Sequence, residues 1–106
     1  MNYYRQGDIC IIPVEGKAPA GIKPIEADNG RIILAYGEVT GHAHALPVAD
    51  VELYETADAV DRLLRVRSQV TTLTHEEHAP ITLTHGDYIV RRQREYAPEA
   101  LRLVAD

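Results

Sequence analysis

The amino-acid sequence predicts an all-β domain, a small β-sandwich or barrel that ends in a short helix. Three observations predict it. Apolar residues recur with a period of two along most of the chain, and short apolar runs follow one another at roughly 8–12-residue spacing. Gly, Pro and Asn stand between these runs, as turn residues do in sandwiches and barrels. The length of 106 residues fits one domain, 1–106, with the helix at 98–104.

The first third of the chain predicts a buried strand and a hairpin. The run ICIIPV is apolar and β-branched, as in a buried strand. The segments IKPIEA and IILAY flank DNGR, in which Asn29-Gly30 favours a type I′ turn because both central residues need positive φ. We therefore expect the two segments to pair, with Pro24 keeping the first one at a sheet edge.

The middle of the chain predicts three more strands. GHAHALPV and VELYE are short and extended. ETADAVD predicts a loop, although Thr56 would also suit the start of a short helix. RLLRVRS then alternates apolar and charged residues, as a half-buried strand does.

The last third predicts a further hairpin and the terminal helix. QVTTLT is rich in β-branched residues, and ITLTHGDYIVRRQREY predicts two strands around a turn at His85-Gly86. Pro98 suits the first position of a helix, and Ala97, Leu101 and Val104 recur at helical spacing. We expect this helix to pack on the sheet.

Charge and cysteine content narrow the classes of function. Lys and Arg total 11 against 16 Asp and Glu, so the net charge is −5, which disfavours polynucleotide binding as the default. The lone Cys10 excludes an internal disulfide framework, and it reads as a small buried hydrophobe. No apolar run is long enough to span a membrane, and we expect a cytoplasmic protein.

Two histidine pairs are the main chemical signal. His42 and His44 lie two residues apart, so both point to one face if HAHA is a strand. His75 and His78 would face opposite ways on a regular strand, so they share a metal only if HEEH is a turn. Pro80 favours such a turn, because it disfavours the α region at the residue before it.

Together the pairs predict one shared metal site with His42, His44, His75 and His78 as ligands. The cofactor expected there is a divalent transition metal, Zn, Fe, Ni or Mn.

Two carboxylates and the fifth histidine complete this prediction. Glu76 or Glu77 is expected to be an alternative ligand or to orient a histidine. Three histidines would leave an open position for water or O₂, whereas four would make a closed structural site. His85 is expected to be an exposed residue outside the site.

The strand YIVRRQREY carries an unusual basic run at 91–94. Its arginines either cover apolar groups and pair with carboxylates, or they bind an anion. Arg92, Gln93 and Arg94 are the candidate residues for holding a small anionic substrate beside the metal.

The first histidine pair resembles the first motif of the cupin superfamily, in which a Gly and an HxH on a strand supply metal ligands inside a jelly-roll barrel. Gly37, His42 and His44 match this motif. Val48 and Ala49 stand where a cupin has a glutamate. The second cupin motif also departs, so a cupin-like fold would carry a rearranged set of ligands.

A longer resemblance covers most of the chain. The runs QGD, GHAH, LTHEEHAPI, GDY and RQREY are similar to those of a family of small bacterial and phage proteins of uncharacterised function. This resemblance implies no activity.

Two classes of function follow from these patterns. The first is a cupin-like metalloprotein, with enzymatic action on a small anionic molecule or nucleotide as one form of it. The alternative is a non-catalytic interaction or accessory module: in one form its histidines serve folding or a pH-dependent interface, and in another it contacts nucleic acid through Arg91–Arg94. The partners expected are a small anionic ligand and a second copy of the chain, and no membrane.

Overall fold

The computed structural model describes residues 3–37, 39–58 and 60–92, and these form an all-β domain, as predicted. The predicted helix at 98–104 lies outside the described residues. The strands within these ranges are β1 (Tyr4–Gln6), β2 (Ile9–Pro13), β3 (Lys23–Ile25), β4 (Arg31–Tyr36), β5 (Ala43–Pro47), β6 (Val51–Glu55), β7 (Arg62–His75) and β8 (His78–Arg92). None of the described residues belongs to a helix long and apolar enough to cross a membrane.

The strands form one antiparallel sheet built around the long hairpin of β7 and β8. The strand order is β1-β2-β8-β7-β5-β4, and β6 also pairs with β7 and carries β3 on its other side. The first part of β7 pairs with β6, from Arg62↔Glu55 to Val66↔Val51, whereas its far end reaches β5 at Thr74↔Ala45. One strand therefore serves both parts of the sheet, and its far end carries His75 to β5.

A bulge in β7 separates these two parts. The register with β8 shifts between Val66 and Val70. Asp50 fills the irregularity, because its carboxylate accepts hydrogen bonds from the hydroxyls of Ser68 and Thr71, each at 2.7 Å. Its backbone carbonyl also accepts the amides of Arg67 and Ser68. These bonds satisfy the groups that the ladder leaves unpaired.

The core is aliphatic and is shared by six strands. Side chains of β2, β4, β5, β6, β7 and β8 are buried together in one cluster, and its largest fully buried members are Ile9, Ile11, Leu46, Val51, Leu53, Leu64, Val66, Leu73 and Leu83. Cys10 is buried at 5% exposure, as predicted for a small hydrophobe. The alternation of these residues with exposed ones is the period-two pattern of the sequence.

The predicted turn at Asn29-Gly30 is confirmed, but the prediction that its two flanking segments pair as a hairpin is wrong. Asn29 has φ 54° and Gly30 has φ 79°, as a type I′ turn requires. The flanking segments nevertheless part after one isolated bridge, so that β3 pairs with β6 and β4 pairs with β5. The buried side chains of β4 belong to the core, whereas β3 is largely exposed and covers the free edge of β6.

The predicted turn at His85-Gly86 is also wrong. β8 runs without interruption through both residues. Gly86 has φ 145° and lies opposite the bulge of β7, where the five residues from Val66 to Val70 face the three residues of β8 from Thr84 to Gly86. A glycine beside a polar residue therefore marks a bend in a long strand at this point and not its end.

Candidate functional site

The tip of the β7–β8 hairpin brings His75 and His78 together. His75 ends β7, His78 begins β8, and Glu76-Glu77 form the connecting turn, as predicted for HEEH. Because the two histidines are cross-strand partners, their side chains lie on the same face. Their ring centroids are 4.7 Å apart.

The other two histidines meet this tip. His44 on β5 has its ring centroid 4.3 Å from that of His75 and 6.0 Å from that of His78. His42 precedes β5, and its ring centroid lies 6.0 Å from that of His75. Two imidazoles on one tetrahedral metal have centroids about 5 Å apart, given metal–nitrogen distances near 2 Å. The structure thus brings all four predicted histidines into one cluster, which we call the histidine cluster.

A buried glutamine fixes the tautomer of His44. The side-chain Nε2 of Gln6 donates to the carbonyls of Leu73 and Ala79 at 3.2 and 2.9 Å, so its Oε1 must be the atom 2.7 Å from Nδ1 of His44. An amide oxygen only accepts, so Nδ1 of His44 carries the proton and Nε2 keeps its lone pair. Metal-binding histidines are oriented by this kind of hydrogen bond.

His44 is held neutral by its surroundings. Burial lowers its pKa to about 4, and the nearby His75 adds to the shift, while Asp8 opposes it. At 3% exposure the ring is the most buried of the four. A neutral imidazole with a free Nε2 is the form that binds a transition metal.

His42 has a buried nitrogen without a hydrogen bond. Its Nδ1 lies 3.2 Å from Oε2 of Glu77 but makes no hydrogen bond to it or to any other of the described residues. Burying such a nitrogen without a partner costs free energy. It is therefore available to bind a cation.

His75 uses one of its nitrogens within the hairpin turn. The backbone amide of Glu77 donates to Nδ1 of His75 at 3.0 Å, so a neutral His75 carries its proton on Nε2. Consistent with this arrangement, no group of three or more His, Cys, Asp or Glu side chains in the described ranges is already set around a common metal position. The four rings are gathered, but their nitrogens do not all point to one place.

The two glutamates of the turn have different surroundings. Oε1 of Glu76 accepts the backbone amide of Ala43 at 2.9 Å, which ties the hairpin tip to the start of β5. This bond, followed by the amide of Glu76 itself, lowers the pKa of the Glu76 carboxyl. Glu77 instead lies beside His42. Of the two predicted carboxylates, Glu76 is occupied by the backbone and Glu77 is placed to contact a histidine.

The turn between β1 and β2 covers the histidine cluster, which the sequence did not indicate. A Cβ atom on Gly7 would lie 2.9 Å from Nε2 of His78 and 3.3 Å from Cε1 of His44. The next residue, Asp8, has Oδ1 3.8 Å from Nε2 of His44. No spacing marks Gln6 or Asp8 in advance, because both lie more than thirty residues from the nearest histidine.

The basic strand is placed only in part by the structure. Arg92 donates from Nε to Oδ2 of Asp8 at 2.8 Å, and Arg91 forms a two-point contact with Asp61 at 3.0 and 2.8 Å. The other two predicted residues of the anion site, Gln93 and Arg94, lie outside the described residues. Within the described strand, both arginines of the run pair with carboxylates.

Arg92 also lines a pocket of about 520 Å³ between β4 and the β2–β8 pair. Its floor includes Ile9, Leu34 and Val90, and Arg62 lies at its wall. The volume is within the range of small-molecule sites. The pocket is linked to the histidine cluster through Arg92, which pairs with Asp8, and Asp8 in turn lies 3.8 Å from His44.

The chain belongs to the family described as a domain of unknown function, DUF8820, whose model matches residues 5–93. The match includes Asp8, all five histidines and Arg92. Comparison with curated proteins and with solved structures gave no match.

Proposed function

We propose that this family member binds one divalent transition metal, Zn, Fe, Ni or Mn, at the histidine cluster and that the metal acts on a small anionic molecule. The observation that carries this proposal is the close approach of three rings. The centroids of His44, His75 and His78 are separated by 4.3, 4.7 and 6.0 Å, which brackets the separation of about 5 Å expected for shared ligands.

The chemistry of the donors supports a metal. His44 is neutral with its lone pair on Nε2, and no hydrogen bond to the ring of His78 is found among the described residues. His42 adds a buried nitrogen without a hydrogen bond. Imidazole nitrogens that are neutral, close together and not consumed by other bonds suit the middle and late first-row metals.

His75 must change its hydrogen bonding if it is to bind the metal. Its Nδ1 accepts the amide of Glu77, and both residues are at the exposed tip of the hairpin. Water can replace the ring as the acceptor for that amide, so the cost of releasing Nδ1 is modest, about 1 kcal/mol. We therefore expect His44 and His78 to bind first, and His42 or His75 to complete the site.

The anion would lie in the pocket that Arg92 lines, where Arg62 is a second cation. Arg62 donates to the carbonyl of Leu34 at 3.0 Å and has no carboxylate partner among the described residues. A half-buried guanidinium of this kind favours a carboxylate or phosphate. A bound metal would supply Lewis-acid chemistry or an activated water, while Arg62 would hold the anion.

We infer that the protein is cytoplasmic. Its single cysteine, Cys10, is free and buried, and free thiols are typical of the reducing cytoplasm. We call the proposed site cupin-like because an HxH pair, His42 and His44, would supply metal ligands in a β domain. The accessory-module alternative is less well supported, because Arg91 and Arg92 already pair with carboxylates.

The test is the metal content of protein purified without a histidine tag. The protein is loaded with Zn, Mn, Fe or Ni, dialysed against a weak chelator and measured by elemental analysis. We expect about one metal per chain, and loss of at least roughly tenfold in affinity for His44→Asn and His78→Asn. His85→Asn is the matched control, because His85 is exposed and outside the histidine cluster.

Two results would overturn the proposal. The first is wild-type protein that retains no metal above the chelator background. The second is equal metal retention in His44→Asn, His78→Asn and His85→Asn, which would place any bound metal elsewhere.

For the anion, a cobalt-loaded sample should change its visible spectrum when azide or phosphate is added, and an unchanged spectrum would mean that the site is closed.

A further inference from the structure

The turn between β1 and β2 places a carboxylate against the free nitrogen of His44. Asp8 Oδ1 lies 3.8 Å from Nε2 of His44. Since Gln6 fixes the proton of a neutral His44 on Nδ1, Nε2 offers a lone pair to this oxygen. Two acceptors that face each other in this way repel, and a cation between them would turn the repulsion into attraction.

The second nitrogen of this corner comes from His78. A Cβ on Gly7 would lie 2.9 Å from Nε2 of His78, 3.3 Å from its Cδ2 and 3.3 Å from Cε1 of His44. Both rings therefore present their outer edges to the same turn, whose φ at Gly7 is 60°. The absence of a side chain at Gly7 leaves room for these edges beside Asp8.

Arg92 holds the carboxylate in place. Its Nε donates to Oδ2 of Asp8 at 2.8 Å; burial acts to raise the pKa of Asp8, but this bond and the charge of Arg92 lead the influences that lower that pKa overall. The bond engages Oδ2, so Oδ1 is the oxygen turned toward His44. A carboxylate that is clamped through one oxygen is suited to bind a metal through the other.

We propose that Asp8 is a metal ligand, and that Asp8, His44 and His78 form a face of two imidazoles and one carboxylate. This inference rests on the proposed function and replaces an all-histidine site with a mixed one. Ligand atoms on one metal lie about 3.0–3.4 Å apart when each is near 2.1 Å from it, so closing the observed 3.8 Å gap takes less than one ångström.

The mixed face has a consequence for the metal. Carboxylate oxygen favours Mn, and two histidines with one carboxylate and open positions are typical of Fe(II) sites. Histidine alone favours Zn, Ni and Cu. Removing the carboxylate should therefore weaken Mn(II) and Fe(II) more than Zn(II), which a purely structural role of Asp8 would not do.

The experiment compares Asp8→Asn with Asp61→Asn in the full chain. Both aspartates pair with an arginine of β8, Asp8 with Arg92 and Asp61 with Arg91, but only Asp8 adjoins a histidine. Affinities for Mn(II), Co(II) and Zn(II) are measured by competition with a chelating dye, and the cobalt spectrum is recorded. We expect Asp8→Asn to lose roughly tenfold or more in Mn(II) affinity, less in Zn(II), and to shift the cobalt bands.

The outcomes separate this inference from the proposed function. Wild-type protein that binds no metal ends both. Metal binding that is lost in His44→Asn but unchanged in Asp8→Asn and Asp61→Asn keeps the proposed function and overturns the role of Asp8. Equal weakening of all three metals in both aspartate variants would make Asp8 a structural partner of Arg92 only, and it also overturns the inference.

Discussion

Replacing Gly7 with alanine tests the geometry of the site directly. Gly7 has φ 60°, and the new Cβ would lie 2.9 Å from Nε2 of His78. The conformation alone costs about 1–2 kcal/mol for an L residue in the left-handed region. In the metal-free protein the collision with His78 adds little, because His78 is exposed and its ring can rotate away, and the approach to Cε1 of His44 at 3.3 Å requires a shift of only a few tenths of an ångström.

The collision should appear once a metal fixes that ring. A bound His78 cannot rotate away, so the metal complex must either distort or give up one ligand. We expect metal affinity to fall at least roughly tenfold, which corresponds to about 1.4 kcal/mol. The stability of the metal-free protein should fall by only about 1–2 kcal/mol.

Gly30→Ala is the matched control. Gly30 also has a positive φ, 79°, and a Cβ there would meet nothing within 4 Å. Its variant should lose a similar free energy of unfolding and keep its metal affinity. Urea denaturation of EDTA-treated protein measures the first quantity, and dye competition measures the second. Equal metal affinities in the Gly7 and Gly30 variants would refute the placement of the metal beside the β1–β2 turn.

Two further changes examine the surroundings of the histidine cluster. Gln6→Leu should lower the free energy of unfolding by about 2–4 kcal/mol, since it removes the side-chain donor to the carbonyls of Leu73 and Ala79 and the acceptor of the buried Nδ1–H of His44; a loss under about 1 kcal/mol in urea denaturation would argue against that network. His85→Asn should change stability by no more than about 0.5 kcal/mol and leave metal content intact, so a loss of metal there would mean that the ligands were wrongly assigned.

Local chemistry explains which parts of the fold could be predicted. Asn29-Gly30 forms its turn because both residues tolerate positive φ, whatever the flanking segments pair with. HEEH forms a turn that ends at His78, and Pro80 agrees with this end because it disfavours the α region at Ala79 and so favours extended backbone there. These turns depend on residues that are neighbours in sequence, so they can be predicted from the sequence alone.

The choice of partner strands depends on the whole core and was not predictable locally. The segment before Asn29 could pair with β4 through the turn, but β4 pairs with β5, whose buried Leu46 joins the same core. The same limit explains the error at His85-Gly86. A polar residue before glycine is typical of a turn, and only the long ladder between β7 and β8 makes it a bend within a strand.

The residues of the candidate site also divide into those that the sequence predicts and those that only the fold brings together. The histidine pairs were visible because metal ligands of one type stood out at short spacing. Gln6 and Asp8 were not, because each is an ordinary polar residue at a strand end or turn until β1 and β2 are folded against β8.

The long hairpin is what joins these distant parts. β8 pairs with β2 near Arg92, at the end opposite to His78, while β7 carries His75 to β5. The β1–β2 turn and the hairpin tip therefore approach His44 from two sides, one with a carboxylate and one with imidazoles. A metal held by residues from both sides would link the first strands to the hairpin, and binding would then stabilise the folded chain as a whole.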